Sequence, residues 1–294
     1  MKQISIDFYR LTMPDGAPMF EHLIQQVTAM PQDDTRNLDV GSNPIRLQES
    51  AVWDANSLEG EMVRIRMEML PRKASLDGVI EDLDFEDDEG LGEETAFLYH
   101  PAMRVLAIQR NRTGVSASTL VWYFKEKGHI EQAIDIDPVL QRGVMQRLAE
   151  IQTVRRLEIG VAGLDRGLIL QNGGHGVGDI VRLSEELRAP RVSISLSMGH
   201  QRRGGLMLDR VVALARNLRN LAGDHHDEIQ KIEISGIDGA DEKVVLDLIE
   251  ERMTDVQFVQ PEENRTIPYR ARRDAVREAW AKRREELVEM FQAR

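Results

Sequence analysis

The sequence predicts an α+β protein with mostly antiparallel sheets, interspersed helices and a long C-terminal helix. Three observations predict this fold class. Several short stretches alternate between apolar and polar residues, which is typical of half-buried strands in antiparallel sheets. Other stretches place apolar residues at helical spacing. The two kinds of stretch follow one another without a regular strand–helix–strand rhythm, which favours α+β over a parallel α/β fold.

The predicted strands are stretches in which every second residue is apolar. In the first of them, Ile4, Ile6 and Phe8 share one face. Two apolar runs on either side of Pro101 predict a β-hairpin. In chain order, strands are expected at Ile4–Phe8, Val63–Met69, Ala96–Tyr99, Val105–Ile108, Arg155–Val161, Val192–Met198 and Lys231–Ser235.

The predicted helices are longer stretches whose apolar residues recur every three or four positions. Ser116 precedes one of them, and its hydroxyl can accept an otherwise unpaired backbone N–H of the first turn. Gly223 follows another, as is usual just beyond a helix C-terminus. Helices are expected at Met19–Met30, Ser116–Lys127, Pro138–Ile151, Leu206–Ala222 and Tyr269–Phe291.

The chain of 294 residues is long enough for one large domain or two moderate ones. We predict an N-terminal domain at residues 1–160, which contains the hairpin and the helix after it. A C-terminal domain at residues 161–294 would end in a basic amphipathic helix. Long loops are expected at Gln32–Asn43, Glu81–Glu94 and Gln171–Gly178.

The composition predicts a cytoplasmic protein. Apolar residues make up 41% of the chain and charged residues 30%, so a core and a solvated surface can both form. No apolar run approaches the ~20 residues that cross a bilayer, and the start of the chain lacks the apolar middle of a signal peptide. The chain has no cysteine, which excludes disulfides and thiolate metal sites.

The charge of the chain is negative but unevenly distributed. A net charge of −12 disfavours nonspecific attraction to DNA or to anionic lipid. Nine acidic residues lie between Glu81 and Glu94 without one base, whereas Ala102–Lys127 and Asn264–Arg294 are locally basic. These basic stretches can either form one positive face or be ordinary solvated surface.

Two arginine pairs lie beside predicted helix N-termini. Arg110 and Arg112 stand in the stretch QRNRTGVSAS, where Gly114 permits a tight turn before the Ser116 helix. Arg202 and Arg203 stand in QRRGG, between a predicted strand and a predicted helix. Arginines in such positions can hold phosphate groups. A purely structural corner is the alternative interpretation of QRNRTGVSAS.

The C-terminal helix carries a further set of candidate DNA-binding residues. Arg272, Arg273 and Arg283 are the members of its basic face that we select as phosphate contacts. The alternative is a solvated helix whose stripe of Trp280 and Leu287 packs within the chain or across a dimer.

No catalytic or metal site can be derived from the residues. Arg219, Asn220 and His225 resemble the R-N-x-x-x-x-H motif of HEPN ribonucleases, in which Arg and His promote attack by the ribose 2′-hydroxyl. The glycine-rich loop Asn172–Asp179 lacks the residues of a P-loop and of a dinucleotide fingerprint. The acidic stretch lacks the pattern of a calcium loop. We therefore expect no cofactor and no metal, and keep a ribonuclease as an alternative.

Four pieces in the middle of the chain support a family resemblance. A Lys-Ala-Ser start, an acidic Asp-Asp-Glu-x-Leu-Gly segment, an apolar hairpin and a helix that opens with Ser follow one another within about a third of the chain. They are Lys73–Ser75, Asp87–Gly92, Ala96–Ile108 and Ser116–Phe124. This arrangement resembles RexA-like phage-exclusion proteins, and Val244–Arg284 has a similar layout to their C-terminal part.

The resemblance implies a function. It implies a non-enzymatic, sequence-independent binder of double-stranded DNA that acts as a homodimer in phage defence or exclusion, with kinship to RdgC-like and KwaB-type proteins. It also implies a membrane-protein partner encoded nearby. The overall acidity is awkward for this function, because the bases must then converge on one face. A protein-interaction subunit that does not bind nucleic acid is the remaining alternative.

Overall fold

The computed structural model describes residues 1–54, 57–162, 186, 191–199, 201, 204–211, 213–214, 229–248 and 251–291. The chain divides into two compact units. Unit 1 combines Met1–Ile136 with Thr254–Arg294, and unit 2 consists of Asp137–Met253. Unit 2 is thus an insertion into unit 1, and the predicted boundary at residue 160 falls inside a strand of unit 2.

The two units contain strands and helices in mixed order, which confirms the α+β class. The strands are β1 (Lys2–Thr12), β2 (Ile45–Asp54), β3 (Ser57–Arg66), β4 (Lys73–Ala74), β5 (Ile80–Glu81), β6 (Leu91–His100), β7 (Val105–Gln109), β8 (Asp135–Pro138), β9 (Ile151–Ala162), β10 (Arg191–Ser197), β11 (Ile229–Asp238), β12 (Lys243–Asp247) and β13 (Thr254–Val259). The helices are α1 (Phe20–Thr28), α2 (Ala117–Lys127), α3 (Arg142–Glu150) and α4 (Tyr269–Phe291), with a 3₁₀ turn at Asp34–Arg36.

The main sheet of unit 1 is antiparallel and has the strand order β13-β1-β7-β6-β3-β2, with β8 also paired to β1. Helices α1 and α2 pack on one face, where the ring of Phe20 contacts those of Tyr99 and Phe124 edge to face, with centroids 5.1 and 5.4 Å apart. Helix α4 covers the other face, and its Trp280 stacks on His100 at 5.2 Å. Unit 1 therefore has a helix–sheet–helix arrangement.

Unit 2 contains a four-stranded antiparallel sheet of order β10-β9-β11-β12. One face carries the apolar residues of β9 and β11, among them Leu157 and Ile232, which are buried. The other face carries a charged row in which Lys231 lies 2.7 Å from Glu158 and 2.9 Å from Glu233. The alternation of apolar and charged residues along these strands accounts for this division.

Several predicted elements are confirmed. The C-terminal helix has the predicted limits, and Ser116 caps α2 by accepting a hydrogen bond from Thr119 N at 3.2 Å. The hairpin is present as β6 and β7. The predicted helix Pro138–Ile151 is shorter, since Pro138 ends β8 and Ile151 begins β9.

Other predictions differ from the structure or concern residues outside the described ranges. The strand predicted to reach Met69 ends at Arg66, and Met69 has a positive φ of 49° and is exposed. The loop predicted at Glu81–Glu94 gives way to β6 at Leu91. Residues 208–211 and 213–214 of the predicted Leu206–Ala222 helix are helical. Its remainder from residue 215 and the loop Gln171–Gly178 lie outside the described residues.

Candidate functional site

The first predicted phosphate contact, Arg110, is engaged by a buried acid of its own chain. Arg110 follows β7, and its Nε and Nη2 donate to the two carboxylate oxygens of Asp7 at 2.8 and 2.5 Å. The Asp7 side chain is only 5% exposed, whereas that of Arg110 is 34% exposed. Burial lowers the pKa of Arg110, but the hydrogen bonds and charge of Asp7 outweigh this effect and raise it. Arg110 is therefore already neutralised by a bidentate partner.

The stretch around Arg112 forms a tightly packed corner between β7 and α2. Asn111 donates to Glu94 O at 2.9 Å, and Val115 N donates to Thr95 Oγ1 at 3.0 Å. A Cβ atom at Gly114 would lie 2.3 Å from Thr95 Oγ1, so the corner requires glycine. The Arg112 side chain is exposed at this corner.

The remaining candidates of the central region cannot be placed. Arg202 and Arg203 lie outside the described residues, as do Arg219 and His225 of the ribonuclease alternative.

Arg272 of α4 is buried in an ion pair. Its Nη2 and Nε donate to Glu61 Oε1 on β3 at 2.6 and 3.0 Å, and its Nη1 lies 3.0 Å from Glu94 Oε2. The side chains of Arg272 and Glu61 are 5% and 4% exposed. Burial raises the pKa of Glu61 even though the charge and hydrogen bond of Arg272 lower it. A residue at this depth fastens α4 to the sheet.

The other arginines of α4 also contact carboxylates. Arg273 Nη2 lies 3.1 Å from Asp274 Oδ1 and its Nε 3.9 Å from Glu59 Oε1. Arg283 Nη2 donates to Thr254 O at 2.9 Å, and its Nη1 lies 3.3 Å from Glu286 Oε2. The exposed fractions of both arginine side chains are 29%.

Neighbouring bases of α4 repeat this arrangement. Arg277 makes a bidentate contact with Glu59 at 2.6 and 2.7 Å, and Lys282 Nζ lies 2.8 Å from the buried Asp255 of β13. The basic face of α4 is thus turned in large part toward acids of β3 and β13. The structure brings Arg272, Arg273 and Arg283 together on one helix, and it gives each of them an acidic partner.

The connection between β3 and β6 is an exposed feature of unit 1. We call residues 67–90 the acidic arm. It has nine acidic residues against two basic ones, a formal charge of −7 within a protein of −12. No residue of the arm is buried. Its four most exposed large apolar side chains are Met69 at 95%, Leu76 at 110%, Val79 at 50% and Ile80 at 57%.

The acidic arm has a defined base and a small hairpin at its centre. Strands β4 and β5 pair, and the ion pairs Lys73–Glu81 at 2.9 Å and Arg72–Asp82 at 2.7 Å extend across them. At the base, a Cβ on Gly90 would lie 2.5 Å from Arg66 O, which shows how closely the two ends of the arm approach. The exposed ion pairs contribute little stability.

The acids beyond the hairpin have no basic partner among the described residues. Asp84, Glu86, Asp87, Asp88 and Glu89 form no ion pair with the part of the chain that the structure describes. Glu89 instead accepts a hydrogen bond from Glu86 N at 3.1 Å. The arm therefore combines uncompensated negative charge with exposed apolar side chains.

The described ranges also lack two kinds of feature. Within the described ranges, no cluster of three or more His, Asp or Glu residues is suited to hold a metal ion. In the same residues, no helix is both long and apolar enough to span a bilayer.

A family model matches residues 4–286, which is nearly the whole chain. The chain belongs to this family. It is described as a family of unknown function (DUF6731). No curated protein matches the chain. The resemblance to RexA-like proteins, the DNA binding and the cytoplasmic location stay predictions.

Sequence reasoning did not identify the acidic arm as a candidate site. It predicted a long loop at Glu81–Glu94 that lacks the pattern of a calcium loop. The sequence does contain a signal for such a site, because the apolar residues Leu76, Val79 and Ile80 stand directly before the acidic run. Apolar residues next to a dense run of like charges are difficult to bury, because the charges must stay in contact with solvent. This combination indicates an exposed binding segment.

Proposed function

We propose that this chain is a non-enzymatic protein-interaction subunit that binds a basic protein partner through its acidic arm. The observation that carries the proposal is the full exposure of Leu76 and Met69 on a segment with a formal charge of −7. Exposed apolar side chains mark interaction surfaces when they are grouped. The surrounding acids favour a partner whose apolar groove is bordered by Lys and Arg.

The ion pairs that Arg110 and Arg272 form within the chain favour a protein partner over DNA. Arg110 and Arg272 are held by buried carboxylates, and contact with a phosphate would leave Asp7 and Glu61 buried without a counter-charge. Breaking a buried ion pair costs about 3–5 kcal/mol. Neither arginine is therefore well placed to bind DNA.

Photocrosslinking in cells of the source organism tests the proposal. A photoreactive amino acid at Leu76 is expected to give one discrete protein adduct, and the same residue at Val52, which is 68% exposed on β2, is the control position. Replacing Asp84, Glu86, Asp87, Asp88 and Glu89 by their amides should remove the adduct. The absence of an adduct, or the same adduct from Val52, would contradict the proposal.

Binding of double-stranded DNA by a homodimer is the second candidate. It is favoured by the exposure of Arg112 beside the Ser116-capped N-terminus of α2, because arginine near a helix N-terminus is suited to phosphate. Arg110 and Arg272 are held by buried acids, so the candidate phosphate contacts to test first are the exposed Arg112 and, outside the described residues, Arg202 and Arg203.

A salt titration of duplex binding tests the second candidate. Each phosphate contact adds about −0.9 to the slope of log K against log salt, so Arg112→Ala should make the slope less steep by about 0.9. Arg270→Ala, on an arginine that is 86% exposed, is the matched control. Binding that does not respond to salt, or an unchanged slope for Arg112→Ala, would argue against this candidate.

A further inference from the structure

The main sheet of unit 1 has two edge strands, β2 and β13, and the first of them is protected. An edge strand presents unpaired backbone groups that can pair with another chain, and proteins usually block them. In β2, the register with β3 is interrupted twice. Leu47 N donates to the Tyr123 hydroxyl at 3.2 Å, and Leu47 O accepts from Arg36 Nη1 at 3.3 Å. Part of the β2 edge is therefore occupied within the chain.

Strand β13 lacks comparable protection in the part of the chain that the structure describes. There it pairs with β1 only, in an unbroken register from Thr254 to Val259. Its sequence TDVQFV contains no Lys, Arg or Pro. Its single charged residue, Asp255, is 2% exposed under α4, and Asp255 Oδ2 lies 2.8 Å from Lys282 Nζ. The outer edge of β13 is therefore regular and neutral, which suits it to pairing.

Two apolar side chains accompany this edge. Val256 is 40% exposed and Phe258 is 61% exposed. Both point to the face of the sheet opposite α4, because side chains alternate along a strand and the intervening Asp255 contacts α4. Neither residue belongs to the apolar core beneath α1 and α2. Exposed apolar side chains that are grouped in this way mark an interaction surface.

The backbone groups of the same two residues point away from β1. Ser5 O accepts a hydrogen bond at 2.8 Å from the backbone N–H that follows β7. The backbone groups of the next residue, Ile6, therefore point toward β13, where Ile6 lies opposite Asp255. Because these directions alternate along a strand, the N–H and C=O groups of Val256 and Phe258 point outward.

We propose that two copies of the chain pair antiparallel through β13, about a two-fold axis at Gln257, so that the main sheet continues from one protomer into its partner. In this register Val256 of one protomer lies opposite Phe258 of the other, and the reverse. Each of these two pairs exchanges two backbone hydrogen bonds. An aromatic side chain opposite a β-branched one is also a favourable cross-strand pair.

Self-complementarity favours a second copy over an unrelated strand. A two-fold interface requires a patch that complements itself, and centring the pair on Gln257 matches both apolar residues at once. Two chains that each carry a charge of −12 repel each other, and the stretch Val256–Gln260 has no charge. A single pair of strands is a small interface, so we expect a Kd of about micromolar magnitude.

Sedimentation of the full chain tests the dimer. At about 100 µM, well above a micromolar Kd, the parent should have twice the mass of one chain. Val256→Pro should be monomeric, because proline removes an outward N–H and no bond to β1. The double variant Val256→Lys/Phe258→Lys should also be monomeric, because its lysines oppose one another. Val52→Lys on β2, at a position that is 68% exposed, is the control and should dimerise.

A complementary variant separates loss of pairing from loss of folding. Val256→Glu/Phe258→Glu should be monomeric alone and should form a one-to-one heterodimer with the double lysine variant, because Lys then faces Glu in both pairs. Circular dichroism and the urea midpoint of each variant should match those of the parent at about 0.1 µM, where the parent is monomeric as well.

A single cysteine tests the register, since the chain has none of its own. In the proposed pair the two copies of residue 257 face each other without backbone hydrogen bonds, with Cα atoms about 4.5 Å apart, a separation that permits a disulfide. Gln257→Cys should therefore form a covalent dimer under mild oxidation. Gln3→Cys, at an exposed position on β1, is the control and should react at least about tenfold more slowly.

Three results would overturn the inference. The first is a parent that is monomeric at about 100 µM, including one that instead takes up a strand of another protein. The second is a dimer that persists in both Val256→Pro and the double lysine variant. The third is equal crosslinking of the two cysteine variants. None of these results depends on the acidic arm, because its residues belong neither to β13 nor to β1.

Discussion

Replacement of Arg272 by methionine removes the cation from the most deeply buried ion pair of unit 1 while keeping a long apolar side chain. Glu61 then remains buried, with a 4% exposed side chain and without the two contacts at 2.6 and 3.0 Å. The expected effect is a large loss of stability of unit 1, since desolvation of an unpaired carboxylate is not compensated.

The magnitude follows from the burial of the pair. Removing one partner of a buried ion pair costs about 3–5 kcal/mol. For a folding unit of about 150–250 residues, 1 kcal/mol corresponds to ~2–4 °C in Tm. Arg272→Met should therefore lower Tm by roughly 6–20 °C. Arg270→Met, two positions earlier on the exposed side of α4, should change the free energy of unfolding by less than about 1 kcal/mol.

Tryptophan fluorescence during urea unfolding measures this effect in unit 1 alone. The three tryptophans of the chain, Trp53, Trp122 and Trp280, all belong to that unit. The double variant Glu61→Gln/Arg272→Met should recover much of the loss, because it removes the unpaired charge together with its partner.

The pH dependence provides an independent test of the same pair. Burial raises the pKa of Glu61, and without Arg272 this pKa should rise further. A carboxyl group whose folded-state pKa is raised contributes stability at low pH that is lost as the pH rises through that pKa. Arg272→Met should therefore be less destabilising at about pH 5 than at about pH 8. A loss below about 1 kcal/mol, or an equal loss at both pH values, would refute a buried ionic contact.

Three further predictions concern unit 1. Gly114→Ala should destabilise it by about 1–3 kcal/mol in urea unfolding, because the new Cβ would lie 2.3 Å from Thr95 Oγ1; an unchanged midpoint would mean that the corner can relax. Ser116→Ala should cost about 1 kcal/mol in urea unfolding by loss of the α2 cap, whereas Ser116→Gly, which keeps a favourable N-cap residue, should cost only a few tenths of that. Burial lowers the pKa of His100, which stacks on Trp280. Its contribution to stability should be lost as the pH falls through that pKa, so His100→Gln should flatten the stability profile between about pH 7 and pH 5.

The elements that depend on local pattern could be predicted from the sequence. Helix α4 has the predicted limits because its stripe of Val276, Trp280 and Leu287 is regular, and the β6–β7 hairpin follows from two apolar runs beside Pro101. Strand β13, with the sequence TDVQFV, was not predicted, because its formation depends on pairing with β1 at the other end of the chain. Its polar residue Asp255 is buried under α4, where a local pattern predicts an apolar residue.

The candidate site was harder to predict because charge alone does not indicate exposure. Arg272 was selected as a phosphate contact on a basic helix, but its partner Glu61 is supplied by a strand that is remote in sequence. Conversely, Leu76 and Ile80 are apolar and exposed, so their positions contradict the usual expectation of burial. The burial of Arg272 depends on a long-range contact that leaves no local pattern, whereas the exposure of Leu76 and Ile80 is signalled locally only by the acidic run that follows them.

The insertion of unit 2 into unit 1 has a consequence for folding on the ribosome. Strand β1 is translated well before its partner β13 and the covering helix α4. At a translation rate of about 5–20 residues per second, roughly 10–50 s pass between the synthesis of β1 and that of its neighbour β13. During that time the whole of Asp137–Met253 emerges and can fold. Nascent chains should therefore expose one face of β1 to chaperones until β13 and α4 have been translated.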